Sequence, residues 1–260
     1  MRARPIVMGI VNVTPDSFFD GGRYGDGIAH AEALIEAGAD WIDVGGESTR
    51  PGAQRVDAET EWKRVQPVIE AFAKTVPVSI DTSKAEVAAR AIRSGAQIIN
   101  DVTGLSDPNM ASVTADAKHA VIMHMRGTPA TMRTLTDYED VTETVCQWLC
   151  ERAAQAQAKT VWIDPGIGFA KTAPQSLELL GNIARFVATG HPVLVGASRK
   201  SFIGHTLDIP DANNRLGGSL AAAASAWMRG AQAFRVHDVE ETRQLLDLLY
   251  AIDGAASEAD

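Results

Sequence analysis

Three stretches along the 260-residue chain share one grammar: EAGADWIDV at 36–44, RSGAQIINDV at 93–102 and MRGAQAFRV at 228–236. In each, a helical segment runs into Gly38, Gly95 or Gly230, which supplies a C-terminal stop, and a short apolar run begins two or three residues later. Five residues after each glycine stands a polar side chain: Asp43, Asn100 or Arg235. KTVWID keeps the spacing without the glycine, with Lys159 five residues before Asp164. These are helix-to-strand joints, and their recurrence marks a repeated unit.

Outward from the joints, short β-branched runs occupy 6–14, 41–46, 78–82, 98–102, 120–125, 161–164, 193–198 and 233–239. Between them lie AHAEALIEAG, AETEWKRVQPVIEAFAK, KAEVAARAIRSG, VTETVCQWLCERAAQAQAK, PQSLELLGNIARFVA and GSLAAAASAWMRG, with apolar residues at helical spacing. Strands that are apolar almost throughout, alternating with helices, predict a parallel sheet covered on both faces. Eight such units predict a single (β/α)8 barrel over residues 1–260, with its site at the C-terminal ends of the strands. A doubly wound open sheet is the rival, but the first turn, NVTPDSFFDGG, is no dinucleotide fingerprint. The tail DGAASEAD reads as frayed.

Composition narrows the function classes. Hydrophobic residues at 45% and charged residues at 22% exclude a disordered or collagen-like chain. A net charge of −9 argues against nucleic acid and anionic membrane as partners, so an anionic substrate must be met by a few local cations. Cys146 and Cys150 lie four apart in a helical stretch and read as reduced core thiols, which points to the cytoplasm. No apolar run is long enough to span a bilayer, and MRARPIVMGIVNVTPDSF lacks a small-residue cleavage site.

The predicted strand ends are polar: Asn12; Asp43 running into GGESTRPG; Asp81; Asn100 and Asp101; His124; Asp164; Ser198, Arg199 and Lys200; Arg235, His237 and Asp238. A helix cap explains any one Asp or Asn in such a place. It does not explain six strands at once. Arg50, Lys200, Arg235 and His237 are donors suited to an anion, and Asp43, Asp81 and Asp164 are acceptors suited to a ligand edge of adjacent N–H groups, as in a pterin or guanine. An internal salt bridge of Arg235 and His237 with Asp238 or Asp43 is the bland alternative; we rank it lower, because a buried ion pair is weak evidence of stabilisation. His119, His124 and His205 lie outside any zinc spacing and read as structural. The acidic run at 57–61 reads as the solvated first turn of a helix, and Met123 and Met125 as core or pocket wall.

NVTPDSFFDGG at 12–22, IDVGGESTRPG at 42–52, SIDTSK at 79–84, INDVTG at 99–104, MHMRG at 123–127, DPGIGFAK at 164–171, GASRKSFIG at 196–204 and RVHDV at 235–239 together resemble the dihydropteroate synthase family, in order and over nearly the whole chain. The resemblance implies a pterin-binding barrel that condenses 6-hydroxymethyl-7,8-dihydropterin pyrophosphate with 4-aminobenzoate in folate biosynthesis, with Mg2+ as cofactor, sulfonamides as inhibitors and a homodimer as the assembly. By likeness, Asp81, Asn100, Asp164, Lys200 and Arg235 bind the pterin, and Asn12, Arg50, Arg235 and His237 the pyrophosphate, with Asn12 helping to hold magnesium. Thr49, Pro51, Phe169 and Ser201 line the aminobenzoate site, and Asp20, Arg50, Lys200, Arg235 and His237 form the catalytic set. The rivals are a pterin-binding methyltransferase, which needs no pyrophosphate pocket, and a noncatalytic pterin-binding barrel. Two features depart from the family pattern: Phe19 stands where relatives commonly have Ser, and strand one begins almost at once, so the lower barrel end is expected to be plugged differently.

Overall fold

The three glycine joints fold alike. Gly38, Gly95 and Gly230 take φ of 96°, 104° and 99°, in the left-handed region that favours glycine. In each, the next amide reaches back five residues, Ala39 N to Leu34 O at 3.0 Å, Ala96 N to Ala91 O at 2.9 Å and Ala231 N to Ala226 O at 3.0 Å. This pattern satisfies the last carbonyls of the helix and turns the chain directly into the following strand.

The structure, a computed structural model, describes residues 3–14, 24–48 and 55–257. The strands are β1 (Ile6–Asn12), β2 (Trp41–Gly45), β3 (Val78–Asp81), β4 (Ile98–Asp101), β5 (His119–Met123), β6 (Thr160–Asp164), β7 (Leu194–Val195) and β8 (Ala233–Val236). All pairings are parallel, in the order β6-β5-β4-β3-β2-β1-β8-β7, and a bridge between Ile163 and Val193 joins the two remaining edges. The result is the eight-stranded barrel.

The helices are α1 (Tyr24–Glu36), α2 (Ala58–Phe72), α3 (Ala85–Arg93), α4 (Met110–Val113), α5 (Val141–Ala153), α6 (Ala173–Gly181), α7 (Ile183–Val187), α8 (Ser201–Leu207), α9 (Leu216–Met228) and α10 (Val239–Ser257). They cover the sheet through a core that includes the fully buried Ile42, Val44, Val65, Ile80, Leu149, Ile163 and Phe186. None of these helices is long and apolar enough to cross a membrane.

Four expectations need correction, the first being the tail read as frayed, of which residues 253–257 continue α10. The apolar run at 174–188 is two helices, because Asn182 interrupts it and ties its side chain to Glu178 O at 3.0 Å and Thr142 Oγ1 at 3.3 Å. The run at 193–198 supplies only two ladder residues before the chain turns away. The acidic run at 57–61 is only partly solvated. Asp57 caps α2 by accepting from Thr60 N at 2.7 Å, but Glu61 is fully buried and accepts from Lys84 Nζ at 2.5 Å.

Candidate active site

Alternate residues of each strand face the barrel interior, and this period of two sorts the interior into layers. Met8, Trp41, Ile98, Val121, Trp162, Leu194 and Ala233 form a lower, apolar cluster. Two residues further along four of those strands come Asp43, Asn100, Asp164 and Arg235. The polar floor of the site therefore rests on an apolar plug.

Arg235 is the hub of that floor. Its Nε donates to Asp43 Oδ2 at 2.6 Å and its Nη2 to Asp81 Oδ2 at 2.8 Å, while Asn100 Nδ2 donates to the same Asp43 oxygen at 3.0 Å. The internal ion pair ranked low from sequence is thus present for Arg235, made with Asp43 and Asp81. Asp238 instead holds Arg199, whose Nε donates to it at 3.0 Å. Burial opposes the Arg235 charge, but the Asp43 and Asp81 carboxylates outweigh it and raise the pKa. Burial pushes Asp81 up to about 7 against the pull of Arg235.

Asp164, Lys200 and Arg235 converge over Gly196. A Cβ there would stand 3.8 Å from Asp164 Oδ2, Lys200 Nζ and Arg235 Cβ alike. Burial raises the Asp164 pKa although Lys200 and the Gly166 N–H, at 2.7 Å from Oδ1, favour its charge. Lys200 is lowered to about 8, by burial first, with Asp164 opposing. The Lys200 ammonium donates to Ile167 O at 2.6 Å and sits 4.5 Å from the centre of the Phe169 ring. Ser201 opens α8 directly after Lys200. His237 Nδ1 lies 3.0 Å from Ser198 Oγ, which also accepts the His237 backbone N–H at 3.2 Å, so the two strand ends hold each other.

At the mouth, a side chain on Gly45 would begin 3.8 Å from Asn12 Oδ1 and 3.6 Å from Asp81 Oδ2. A cavity of about 140 Å³ opens beside Asp81, with Met125 in its wall. Asp20, Thr49, Arg50 and Pro51 lie outside the described residues, as does Phe19. Among the described residues no three His, Cys, Asp or Glu side chains are grouped to hold a metal. A magnesium ion needs few protein oxygens when phosphates supply the rest, and the Asn12 carboxamide oxygen fits that donor set.

Residues 8–237 match the family described as pterin binding enzyme. The dihydropteroate synthase of Escherichia coli is 46% identical over 96% of this chain and 92% of its own length. The chain belongs to the dihydropteroate synthase family. The Xanthomonas albilineans dihydropteroate synthase, solved with 4-aminobenzoic acid, superposes with a TM-score of 0.90 at 42% identity, covering 96% of this chain and 93% of that one. The same enzyme solved with 7,8-dihydropteroate superposes at 0.86, covering 96% and 94%. The Yersinia pestis dihydropteroate synthase, solved with a sulfonamide drug, superposes at 0.90 with 40% identity, covering 96% and 95%.

In this dihydropteroate synthase fold, the roles of Arg199 and Lys171 were not legible in the sequence, and Asp43, expected as a ligand acceptor, is engaged by Arg235 and Asn100. Arg199, in a left-handed conformation (φ 57°), locks the strand-seven turn through Asp238 and through Ser219 Oγ, which accepts its backbone N–H at 2.9 Å. Asp43 serves as a brace beneath Arg235 and Asn100. Lys171 lies behind the Gly166–Ala170 turn; its place within DPGIGFAK was the available signal. Of the three histidines read as structural, His119 packs with Trp41 and Trp162, His124 packs edge-on to Trp148, and His205 is exposed on α8.

Proposed function

We propose that this chain joins 6-hydroxymethyl-7,8-dihydropterin pyrophosphate to 4-aminobenzoate, giving 7,8-dihydropteroate and pyrophosphate. The observation that carries the reading is the convergence of Asp164, Lys200 and Arg235 over Gly196, beside Asp81 and Asn100. A pterin edge presents adjacent N–H groups that carboxylate and carboxamide oxygens accept, and a carbonyl and ring nitrogen that Lys200 can serve. The Arg235 guanidinium lies flat against such a ring while its Nη1, which has no partner among the described residues, reaches the anion.

Pyrophosphate falls to Asn12, Arg50, Arg235 and His237, and aminobenzoate to Thr49, Pro51, Phe169 and Ser201. Cations on the leaving group stabilise charge as the methylene C–O bond breaks and its electron pair departs with pyrophosphate. The aryl amine is unprotonated at neutral pH. Its lone pair forms the C–N bond to the electron-poor methylene, and the ammonium proton passes to solvent. Position and electrostatics therefore do the catalysis, and no residue is assigned as general base. By the family likeness, Asp20 is assigned to closing the site around the pterin cation. When bound, a magnesium ion held by Asn12 and the pyrophosphate would supply further charge neutralisation on the leaving group.

The reading extends to a homodimer, supported by the half-exposed Leu207 and Met228 on α8 and α9, and to the cytoplasm, supported by the free thiols Cys146 and Cys150. A pyrophosphate-release assay tests the activity. Release is expected only with both substrates and a divalent cation, and a protein that binds pterin but releases no pyrophosphate with both present would be one of the rival pterin-binding barrels.

A further inference from the structure

The Gly166–Ala170 turn carries much of the site, and its backbone is unfavourable. Gly166, Gly168 and Ala170 take φ of 67°, 79° and 49°, and Ala170 pays the left-handed penalty of a residue with a Cβ. The turn also presses on the end of β5, since a Cβ on Gly166 would stand 2.0 Å from His124 O. On its inner side, Gly166 N donates to Asp164, Ile167 O receives Lys200, and the Phe169 ring lies under the Lys200 ammonium. A turn of this shape needs something to hold it.

Behind it stands Lys171, only 8% exposed. Its Nζ donates to Phe169 O at 2.9 Å and Gly166 O at 3.1 Å, and meets His124 Nδ1 at 3.0 Å. Among the described residues it has no carboxylate partner, although buried lysines ordinarily find one. Tyr138 adds one bond to the same turn, its hydroxyl donating to Ala170 O at 3.0 Å. We propose that Lys171, with Tyr138, is a positioning residue that holds the Gly166–Ala170 turn from behind, in the one shape that presents Asp164, Lys200 and Phe169 to the substrates. Burial pushes His124 down to about 2, so its imidazole is neutral and its Nδ1 is available as an acceptor.

The proposal rests on the reading of this site as a pterin pocket, and the test separates the two. Hydrogen exchange of the ligand-free protein is compared for the parent and Lys171→Met. At least tenfold faster exchange at the Gly166 and Phe169 amides is expected, and unchanged exchange there overturns the clamp whatever the site binds. Calorimetry with a pterin and steady-state kinetics follow. A tenfold or greater rise in the pterin Kd is expected, with a raised KM for aminobenzoate through Phe169. A lysine that merely stabilised the fold would lower the active fraction and hence apparent kcat, leaving Kd and KM unchanged, and that result overturns the proposal. A parent that binds no pterin defeats the pocket reading, while the exchange data still judge the clamp. If Lys171→Met does not fold, Tyr138→Phe, which removes one hydroxyl, decides: a severalfold loss of pterin affinity supports the clamp, and unchanged affinity overturns it.

Discussion

The Asp164 side chain is buried and, among the described residues, its carboxylate accepts one hydrogen bond, from Gly166 N to Oδ1, while Oδ2 faces Lys200 over Gly196. Replacing it by Asn swaps an acceptor for an N–H donor without changing size, so the ligand N–H groups meet a mismatched partner in a dry site. Asp164→Asn should fold normally and lose about 1–3 kcal/mol of pterin binding, read by calorimetry; near-parental affinity would remove Asp164 from the role. Lys200 sets a pH limit. With its pKa lowered to about 8, the free enzyme loses the ammonium as pH rises through that value, so pterin affinity should fall above it. Stability has the opposite sense: the folded state binds this proton more weakly than the unfolded state, and stability recovers as pH rises from about 8 toward 10.5, the ordinary lysine value. Calorimetry over this range should show the alkaline fall in the parent and none in Lys200→Arg, whose guanidinium stays charged. Residues such as Asp164 were legible because they follow apolar runs at a fixed spacing. Lys171 and Glu61 were not, since a lysine beside glycines and a glutamate in a first turn look solvated until the chain brings His124 and Lys84 to them, 47 and 23 residues away in sequence.

At the scale of elements, the joints were legible because a left-handed glycine and a following apolar run are local features. The break at Asn182 was not, because apolar spacing continues across it and the partner, Thr142, lies on another helix. Nor does periodicity mark α4, which is only four residues long. The polar floor needs a rigid base, and the strands supply it with their lower interior positions. Trp162 packs edge-on to Trp41 with ring centroids 5.3 Å apart and donates its indole N–H to His119 Nδ1 at 3.3 Å. Trp162 is 6% exposed, and truncating so large a side chain leaves a cavity among Met8, Trp41 and Leu194. Trp162→Ala should cost about 3–5 kcal/mol of stability, seen as an earlier denaturant midpoint. Because the plug lies below the floor, the protein that remains folded should bind pterin with near-parental affinity. A large affinity loss with little loss of stability would show that Trp162 shapes the pocket rather than its support.

For the whole molecule, a chain of net charge −9 serving anionic substrates must concentrate its cations at one place, and the barrel mouth brings Lys200, Arg235 and His237 together there. Two substrates then meet end to end, and a molecule that copies one of them competes for half the site. A sulfonamide keeps the aryl amine of aminobenzoate and replaces its carboxylate by a sulfonyl group. Thr49, Pro51, Phe169 and Ser201, to which we assign the aminobenzoate end, are all present in this chain. Sulfonamides should therefore inhibit competitively against aminobenzoate and not against the pterin pyrophosphate; the reverse pattern would place the drug in the pterin pocket. The position we expect to discriminate is Phe19, where the resemblance to the family implies Ser. Phenylalanine is much larger than serine, so a contact made from this position should weaken drugs, which extend past the natural substrate, more than aminobenzoate. Phe19→Ser should improve sulfonamide inhibition relative to the aminobenzoate KM by about 1–3 kcal/mol, the scale on which a pocket rejects a modest excess of bulk. If inhibition and KM move together, or neither moves, Phe19 is no filter.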